Sequence, residues 1–149
     1  MLVYRITLGK FSSSLKASGN PARWNSKDVK IIYTAASRAL ACLENVVHRT
    51  SVGLAGQFRT MTIEIPDEIA ITSLKRDQLQ ERWQEFERYP YTQALGDAWI
   101  AEARTAVLQV PSAIIPQEYN YLLNPAHKDF RKIRLVNVEP FEFDGRIKM

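Results

Sequence analysis

Three side chains that could share one small site follow one another early in the sequence. Arg23, Tyr33 and Glu44 are spaced by about ten residues, and Ser112 follows much later. An arginine fork can bind two phosphate oxygens at once, and a tyrosine ring offers a face to a flat heterocycle. A glutamate near a ribose can stabilise positive charge at the anomeric carbon, while a serine hydroxyl orients either partner. These groups would suit cleavage of the N-glycosidic bond of a dinucleotide such as NAD.

The pattern around these residues predicts the elements that position them. Alternating apolar residues predict a strand over residues 2–8, and an apolar run predicts a more fully buried strand over 30–35. A helix is expected over 37–48, with Ser37 as its N-cap. Glu44 lies at the edge of the apolar stripe of that helix, where it is half-desolvated if the helix packs on the sheet. The alternative is a solvated glutamate whose stem packs against its neighbours.

The remaining periodicity predicts a mixed α+β fold. Further helices are expected over residues 74–89 and 92–103, and further strands over residues 57–65, 105–110, 133–138 and 141–147. Trp83 is expected in the core, and Gly96 is a possible point of close packing. Pro111 restricts the backbone before Ser112, so that hydroxyl can be aimed. The result is a single compact α+β domain with five or more strands, antiparallel or mixed, and about three helices.

Composition excludes several classes of protein. The chain has 149 residues, 46% of them hydrophobic and 24% charged, which is typical of one globular domain. Its net charge of +4 comes from scattered residues, so we expect no direct contact with nucleic acid. A single cysteine, Cys42, and two distant histidines, His48 and His127, leave no disulfide framework and no metal site. No signal peptide or membrane-spanning segment is evident, so a cytoplasmic location is expected.

Motifs of two common nucleotide-binding classes are missing. The sequence has no Gly-x-Gly-x-x-Gly and no Walker-type Gly-Lys-Ser/Thr. It also lacks a Ser/His/Asp arrangement in a recognised spacing. A Rossmann oxidoreductase and a P-loop hydrolase are therefore not the leading hypotheses.

Longer segments are more specific than the isolated residues. They resemble the RES domain family, named for its Arg, Glu and Ser, and they follow the family's order over nearly the whole chain. The segments are Arg23-Trp24-Asn25, Tyr33-Thr34, Ala41-Cys42-Leu43-Glu44, His48, Gly96-Asp97-Ala98-Trp99, Val110-Pro111-Ser112-Ala113, Asn120-Tyr121-Leu122-Leu123-Asn124-Pro125-Ala126-His127 and Phe143-Asp144-Gly145-Arg146. We therefore interpret residues 1–149 as one RES domain.

This resemblance implies a toxin of a bacterial toxin–antitoxin pair, with a fold similar to ADP-ribosyltransferases. Such toxins consume NAD by hydrolysis or phosphorolysis, and some are described as transferring ADP-ribose to a protein. The implied substrate is NAD, with phosphate as a possible co-substrate and no bound cofactor. The implied partner is an antitoxin whose helix-turn-helix part contacts DNA and whose carboxy-terminal segment plugs the cleft. The alternatives are an ADP-ribosyltransferase and an inactive, antitoxin-binding module.

The resemblance also assigns roles to five residues. Arg23 would hold the NAD phosphates, and Tyr33 would pack on the nicotinamide end. Glu44 would stabilise the oxocarbenium-like ribose, which Ser112 would help to position. Asn120 would supply a polar contact at the cleft.

One segment departs from the family pattern. The family has glycines just before the Arg-Trp pair, whereas this chain has Asn20-Pro21-Ala22. Proline fixes φ and alanine resists positive φ. We therefore expect the loop that approaches the dinucleotide to follow a different path.

Overall fold

The computed structural model describes residues 1–49 and 53–147. Within these two ranges the chain forms seven strands and two α-helices. The strands are β1 (Leu2–Leu8), β2 (Ile32–Ala35), β3 (Phe58–Glu64), β4 (Ile71–Ser73), β5 (Val107–Pro111), β6 (Tyr119–Leu123) and β7 (Arg134–Phe141), and the helices are α1 (Arg38–His48) and α2 (Tyr89–Glu102). In this described part of the chain, neither helix is long and apolar enough to cross a bilayer.

All strands join one mixed sheet, in the order β4-β5-β6-β2-β1-β3-β7. Neighbouring strands are antiparallel except for β4 and β5, which are parallel. The α+β class with a mixed sheet is thus confirmed. Where the sequence predicts about three helices, the described residues form two α-helices and several short 3-10 turns.

The interior position of β1 explains why both of its faces are covered. It pairs with β3 along seven residues but with β2 at one position, Tyr4 opposite Ala35. Successive side chains of a strand point to opposite faces, and Val3 and Ile6, which lie on opposite faces, are both buried. The predicted strand over 2–8 is confirmed to the residue, but it is not solvated on one side.

Helix α1 begins as the sequence predicts. The Ser37 hydroxyl oxygen accepts a hydrogen bond from the backbone N–H of Leu40 at 3.1 Å, so Ser37 is the N-cap. Leu40 and Ala41 are buried against Ile6 and Phe58 of the sheet. This packing fixes α1 beside β1.

Helix α2 is anchored by an aromatic cluster. Trp24, Trp83 and Trp99 are buried together with Leu108 and Leu122 on the β5–β6 part of the sheet. Burial of such large rings contributes most to the local stability. The predicted helix over 92–103 is confirmed, although it starts earlier, at Tyr89.

The predicted helix over 74–89 is wrong. The segment has two single 3-10 turns, Arg76–Gln78 and Phe86–Arg88, and Arg82 between them has a φ of 61°. A left-handed residue cannot continue an α-helix. Trp83 is in the core as expected, but Phe86 is 76% exposed, so the segment has no continuous buried stripe. Pro90 lies in the first turn of α2, where its missing N–H breaks no helical hydrogen bond.

The last part of the sheet also differs from the expectation. Of the two strands predicted over 133–138 and 141–147, the first is confirmed as β7, which continues to Phe141 opposite Phe58. The second is wrong, because residues 142–147 form no strand. The Asp144 side chain instead closes a turn by accepting from the Arg146 N–H at 2.8 Å. Strands β4 and β6 had no counterpart in the prediction.

Candidate active site

A cleft of about 910 Å³ borders β1, β2 and α1. The segment over residues 17–24 and Tyr89, at the start of α2, also line it. Four of the five residues that the sequence predicts for a site line this cleft: Arg23, Tyr33, Glu44 and Asn120. Because β1 and β2 pair at a single position, the rest of the β1 edge that faces β2 is free to border the cavity.

Arg23 is held by backbone carbonyls and aromatic rings. Its Nη1 donates to the carbonyl oxygen of Gln84 at 2.8 Å and to that of Trp83 at 3.3 Å. The guanidinium carbon lies 5.0 Å from the centre of the Tyr89 ring, within range of a cation–π contact. Within the described ranges Arg23 has no ion pair with a carboxylate. Its charge is therefore oriented but not neutralised.

Tyr33 uses its hydroxyl to build the wall of the cleft. The oxygen accepts from the Trp24 N–H at 3.1 Å, and the O–H donates to Asn25 Oδ1. Burial raises the pKa of the Tyr33 phenol well above its usual range, so the group stays neutral. Only the ring is left to contact a ligand. This geometry is compatible with the stacking role implied by the family, which stays a prediction.

Glu44 projects from α1 with its side chain 28% exposed. Its Oε2 lies 3.7 Å from Nε2 of His48, one helical turn further on. The next residue, Asn45, fixes this part of α1 to the strand, because its Nδ2 donates to the Ile6 carbonyl oxygen at 3.0 Å. The carboxylate is thus partly shielded from solvent. Of the two environments expected for Glu44, the structure has the half-desolvated one, at the edge of the cleft.

Asn120 lies on β6, opposite Ala35 of β2. Its Nδ2 donates to the Thr34 carbonyl oxygen at 3.2 Å, which orients the amide. Its Oδ1 makes no hydrogen bond with any described residue. That oxygen is therefore available to accept a hydrogen bond from a ligand.

Ser112 lies behind the cleft wall. It is fully buried, and its Oγ accepts from the backbone N–H groups of Ile114 and Ile115, both at 3.1 Å. Ala113 and Ile114, which belong to the turn that Ser112 shapes, do line the cleft. The structure thus places the serine behind the wall, where its hydroxyl holds this turn and is not aimed into the cavity.

Arg5 is a cleft residue that sequence reasoning missed. It lines the cavity, and burial lowers the pKa of its guanidinium. Among the described residues it has no hydrogen bond from its side chain and no ion pair. The sequence showed it as a polar residue on the open face of an alternating strand. Val3 and Thr7, which share that face, are both buried, because β1 lies inside the sheet. The sequence did not reveal this interior position, and so it did not place Arg5 in the cleft.

The charge balance of the cleft favours an anion. In the described part of the chain, the charged lining consists of Arg5, Arg23 and Arg49, with Glu44 as the one carboxylate. Such a cationic concavity attracts phosphate groups, and the effect is stronger in a partly desolvated site. The same residue ranges contain no group of three His, Cys, Asp or Glu side chains that could hold a metal ion.

The sheet and this cationic cleft define an α+β domain with a site suited to an anionic ligand. The sequence profile of the RES domain matches residues 2–144, and the chain belongs to the RES domain family. The fold agrees: the chain superposes on one from the M. tuberculosis MbcT–MbcA toxin-antitoxin complex with a TM-score of 0.78, covering 95% of this chain and 84% of that chain. At 19% identity this likeness concerns the fold alone.

Similar proteins carry toxin names. A protein of Sphingobium sp. (strain YBL2) named Prs ADP-ribosylating toxin is 40% identical, over 84% of this chain and 79% of that protein. The Toxin Res of Yersinia enterocolitica is 34% identical, over 99% of this chain and 100% of that protein. The family predicted from the sequence segments is therefore confirmed.

Proposed function

We propose that this chain is the toxin of a bacterial toxin–antitoxin pair and arrests growth by depleting NAD. The observation that carries the proposal is a cleft in which Arg5 and Arg23, both without a carboxylate partner among the described residues, share the lining with Glu44. The names of the relatives support the toxin assignment. The three arginines of the cleft lining support a substrate with negative charge.

Binding in this proposal uses the positive charges and the flat ring. The two arginines bind the diphosphate of NAD, where fork-shaped donors reach two oxygens at once. The Tyr33 ring packs on the nicotinamide end. Asn120 Oδ1 accepts a hydrogen bond from a ribose hydroxyl, and Ser112 holds the turn that closes this side of the cleft.

The chemical step breaks the bond between nicotinamide and ribose. Nicotinamide leaves with the bonding electron pair, and positive charge develops on the ribose ring. The Glu44 carboxylate stabilises that charge, and its partial desolvation strengthens the interaction. Water or phosphate then forms the new bond to the anomeric carbon and releases a proton. When water is the acceptor the product is ADP-ribose, and when phosphate is the acceptor the product is ADP-ribose 1″-phosphate.

A second function, ADP-ribosyl transfer to a protein, is favoured by the name of the Sphingobium relative. The same bond breaks, but a protein side chain takes the place of water. A third candidate is an inactive module that binds the antitoxin and leaves NAD intact.

The proposed partner is an antitoxin with a helix-turn-helix part that contacts DNA. A carboxy-terminal segment of that antitoxin would occupy the cleft, giving a hetero-oligomer. The likeness to a chain from a toxin-antitoxin complex supports this partner. The charged residues that give the net charge of +4 are scattered along the sequence, which supports DNA contact by the antitoxin and not by this chain.

The decisive experiment incubates the purified chain, free of antitoxin, with NAD in the presence and absence of phosphate. Products are separated by mass. ADP-ribose without phosphate indicates hydrolysis, and ADP-ribose 1″-phosphate formed only with phosphate indicates phosphorolysis. Intact NAD from folded protein contradicts the proposal, and a protein-labelling assay then tests ADP-ribosyl transfer. A chain that binds its antitoxin but is inactive in both assays is the binding module.

A further inference from the structure

One side of α2 holds the backbone of the segment that carries Arg23. The Thr92 hydroxyl donates to the Arg23 carbonyl oxygen at 2.6 Å, and Thr92 is fully buried. The neighbouring Gln93 donates from Nε2 to the Ala22 carbonyl oxygen at 2.9 Å. Two consecutive helix residues therefore bind two consecutive carbonyls next to the cleft.

The next turn of α2 holds the same segment further along. A Cβ on Gly96 would lie 1.7 Å from the Trp24 carbonyl oxygen, so only glycine allows this approach. Asp97 accepts from both the backbone N–H of Ser26, at 3.0 Å, and the Ser26 hydroxyl. Residues four apart lie on one helix face, so these contacts continue those of the preceding turn.

This anchored segment controls two groups of the cleft. It carries the Arg23 guanidinium, and the Trp24 N–H donates to the Tyr33 hydroxyl. Asn25, in the same segment, accepts from that hydroxyl. A shift of the segment would therefore move both the cation and the aromatic wall, whereas Glu44 on α1 would stay in place.

We propose that Thr92 and Asp97 are positioning residues: they fix residues 22–26 and thereby aim the Arg23 guanidinium at the diphosphate of the substrate. The link to a diphosphate rests on the proposed function. The anchoring itself rests on the contacts of α2. Misplacing a binding group by about 1 Å can cost on the order of a hundredfold in rate, so a residue that touches no substrate can still control the reaction.

The test compares three threonine variants. Thr92→Val keeps the shape but removes the hydrogen bond to Arg23, and Thr92→Ser restores it. Thr105→Val is the matched control, because the Thr105 hydroxyl accepts from Trp99 Nε1 at 3.1 Å and donates to the Val107 carbonyl oxygen at 3.0 Å, and Thr105 does not line the cleft. Hydrogen exchange by mass spectrometry follows the peptide that contains residues 22–26, and NAD turnover gives KM and kcat.

For Thr92→Val we expect exchange in residues 22–26 to become about tenfold faster and KM for NAD to rise about tenfold. The serine variant should restore both values, and Thr105→Val should change neither. A purely structural role would lower the folded fraction, and with it kcat, at constant KM. Unchanged exchange in residues 22–26, or a constant KM, overturns the proposal.

Two further measurements distinguish failure of this proposal from failure of the proposed function: a second substitution and the wild-type chain. Gly96→Ala forces the Trp24 carbonyl away, so it should raise KM more than Thr92→Val does; should it fail to fold, the threonine pair decides alone. If wild-type protein leaves NAD intact, the proposed function fails, and the exchange rates alone then decide whether Thr92 anchors the segment.

Discussion

The two sides of the cleft are held in different ways. On the cationic side, Arg23 lies on a segment bound by Thr92, Gln93 and Asp97, and its own side chain is hydrogen-bonded to carbonyls. On the acidic side, the one polar side-chain contact of Glu44 within the described residues is with the largely exposed His48, whose Nε2 lies 3.7 Å from Glu44 Oε2. We infer that the two sides differ in rigidity. The Arg23 side is preorganised to bind a charged ligand, whereas the Glu44 side chain can change its conformation.

A second contrast concerns how the arginines are stabilised. Arg23 has carbonyl acceptors and ring contacts, whereas Arg5 has neither an acceptor nor an ion pair among the described residues. A half-buried charge without a partner lowers stability. A binding site tolerates such a cost when the ligand supplies the missing charge. We therefore interpret Arg5 as a binding group whose charge an anionic ligand would neutralise.

The largest effect should follow from removing the charge on the acidic wall. Glu44→Gln keeps the shape of the side chain but leaves developing positive charge on the ribose unstabilised. We expect kcat for NAD cleavage to fall by about a hundredfold to a thousandfold, with the melting temperature nearly unchanged. Glu139→Gln is the control: it alters a half-buried glutamate of β7 that pairs with Arg38 of α1, lies outside the cleft lining and should retain full activity. Full activity in Glu44→Gln would remove Glu44 from the mechanism.

Arg5→Met should separate stability from function. Removing the unpartnered charge should raise the free energy of unfolding by about 1 kcal/mol in urea titrations. The same change should lower kcat/KM for NAD by about tenfold to a hundredfold, because one phosphate contact is lost. Arg59→Met, on the neighbouring strand β3 and outside the cleft lining, should leave kcat/KM unchanged. A less stable, fully active Arg5→Met would contradict the anion role.

Ser112→Ala tests whether the serine acts through its turn. The substitution leaves the N–H groups of Ile114 and Ile115 without their acceptor. We expect the free energy of unfolding to fall by about 1–2 kcal/mol, measured by urea denaturation, with a smaller loss of activity than in Glu44→Gln. If activity disappears while stability is unchanged, the hydroxyl contacts the substrate directly.

The smallest expected effect is the response of Tyr33→Phe to alkaline pH. Burial raises the pKa of Tyr33 in the folded chain above the ordinary value of 10.0, so the folded state holds this proton more tightly than the unfolded state does. The stabilisation is complete below the unfolded pKa, and it is lost progressively as the pH rises from there through the folded pKa. The wild-type chain should therefore lose stability above pH 10.0 more steeply than Tyr33→Phe.

Thermal unfolding followed between neutral and alkaline pH measures this difference. At neutral pH, Tyr33→Phe should itself be less stable by about 1 kcal/mol, because the Trp24 N–H and Asn25 lose their partner. Parallel alkaline slopes for the two proteins would contradict the assignment, since other tyrosines and lysines titrate equally in both.

The sequence by itself determined the elements that depend on near neighbours. The alternation over 2–8 and the N-cap Ser37 predicted β1 and the start of α1, because strand period and capping are local properties. Residue types and spacing predicted Arg23, Tyr33 and Glu44, and the family segments predicted the RES domain and Asn120. All four residues line the cleft. The spacing of large side chains also placed Trp83 correctly in the core.

Only the tertiary structure decided what depends on distant parts of the chain. Helical spacing over 74–89 could not reveal that Arg82 breaks the helix, since burial of Trp83 against Trp24 and the sheet outweighs a weak local preference. The sequence could not place Arg5 in the cleft, because that follows from the order of strands in the sheet. Nor could it place Ser112 behind the wall: the direction of one hydroxyl is set by the backbone N–H groups that the folded turn brings to it.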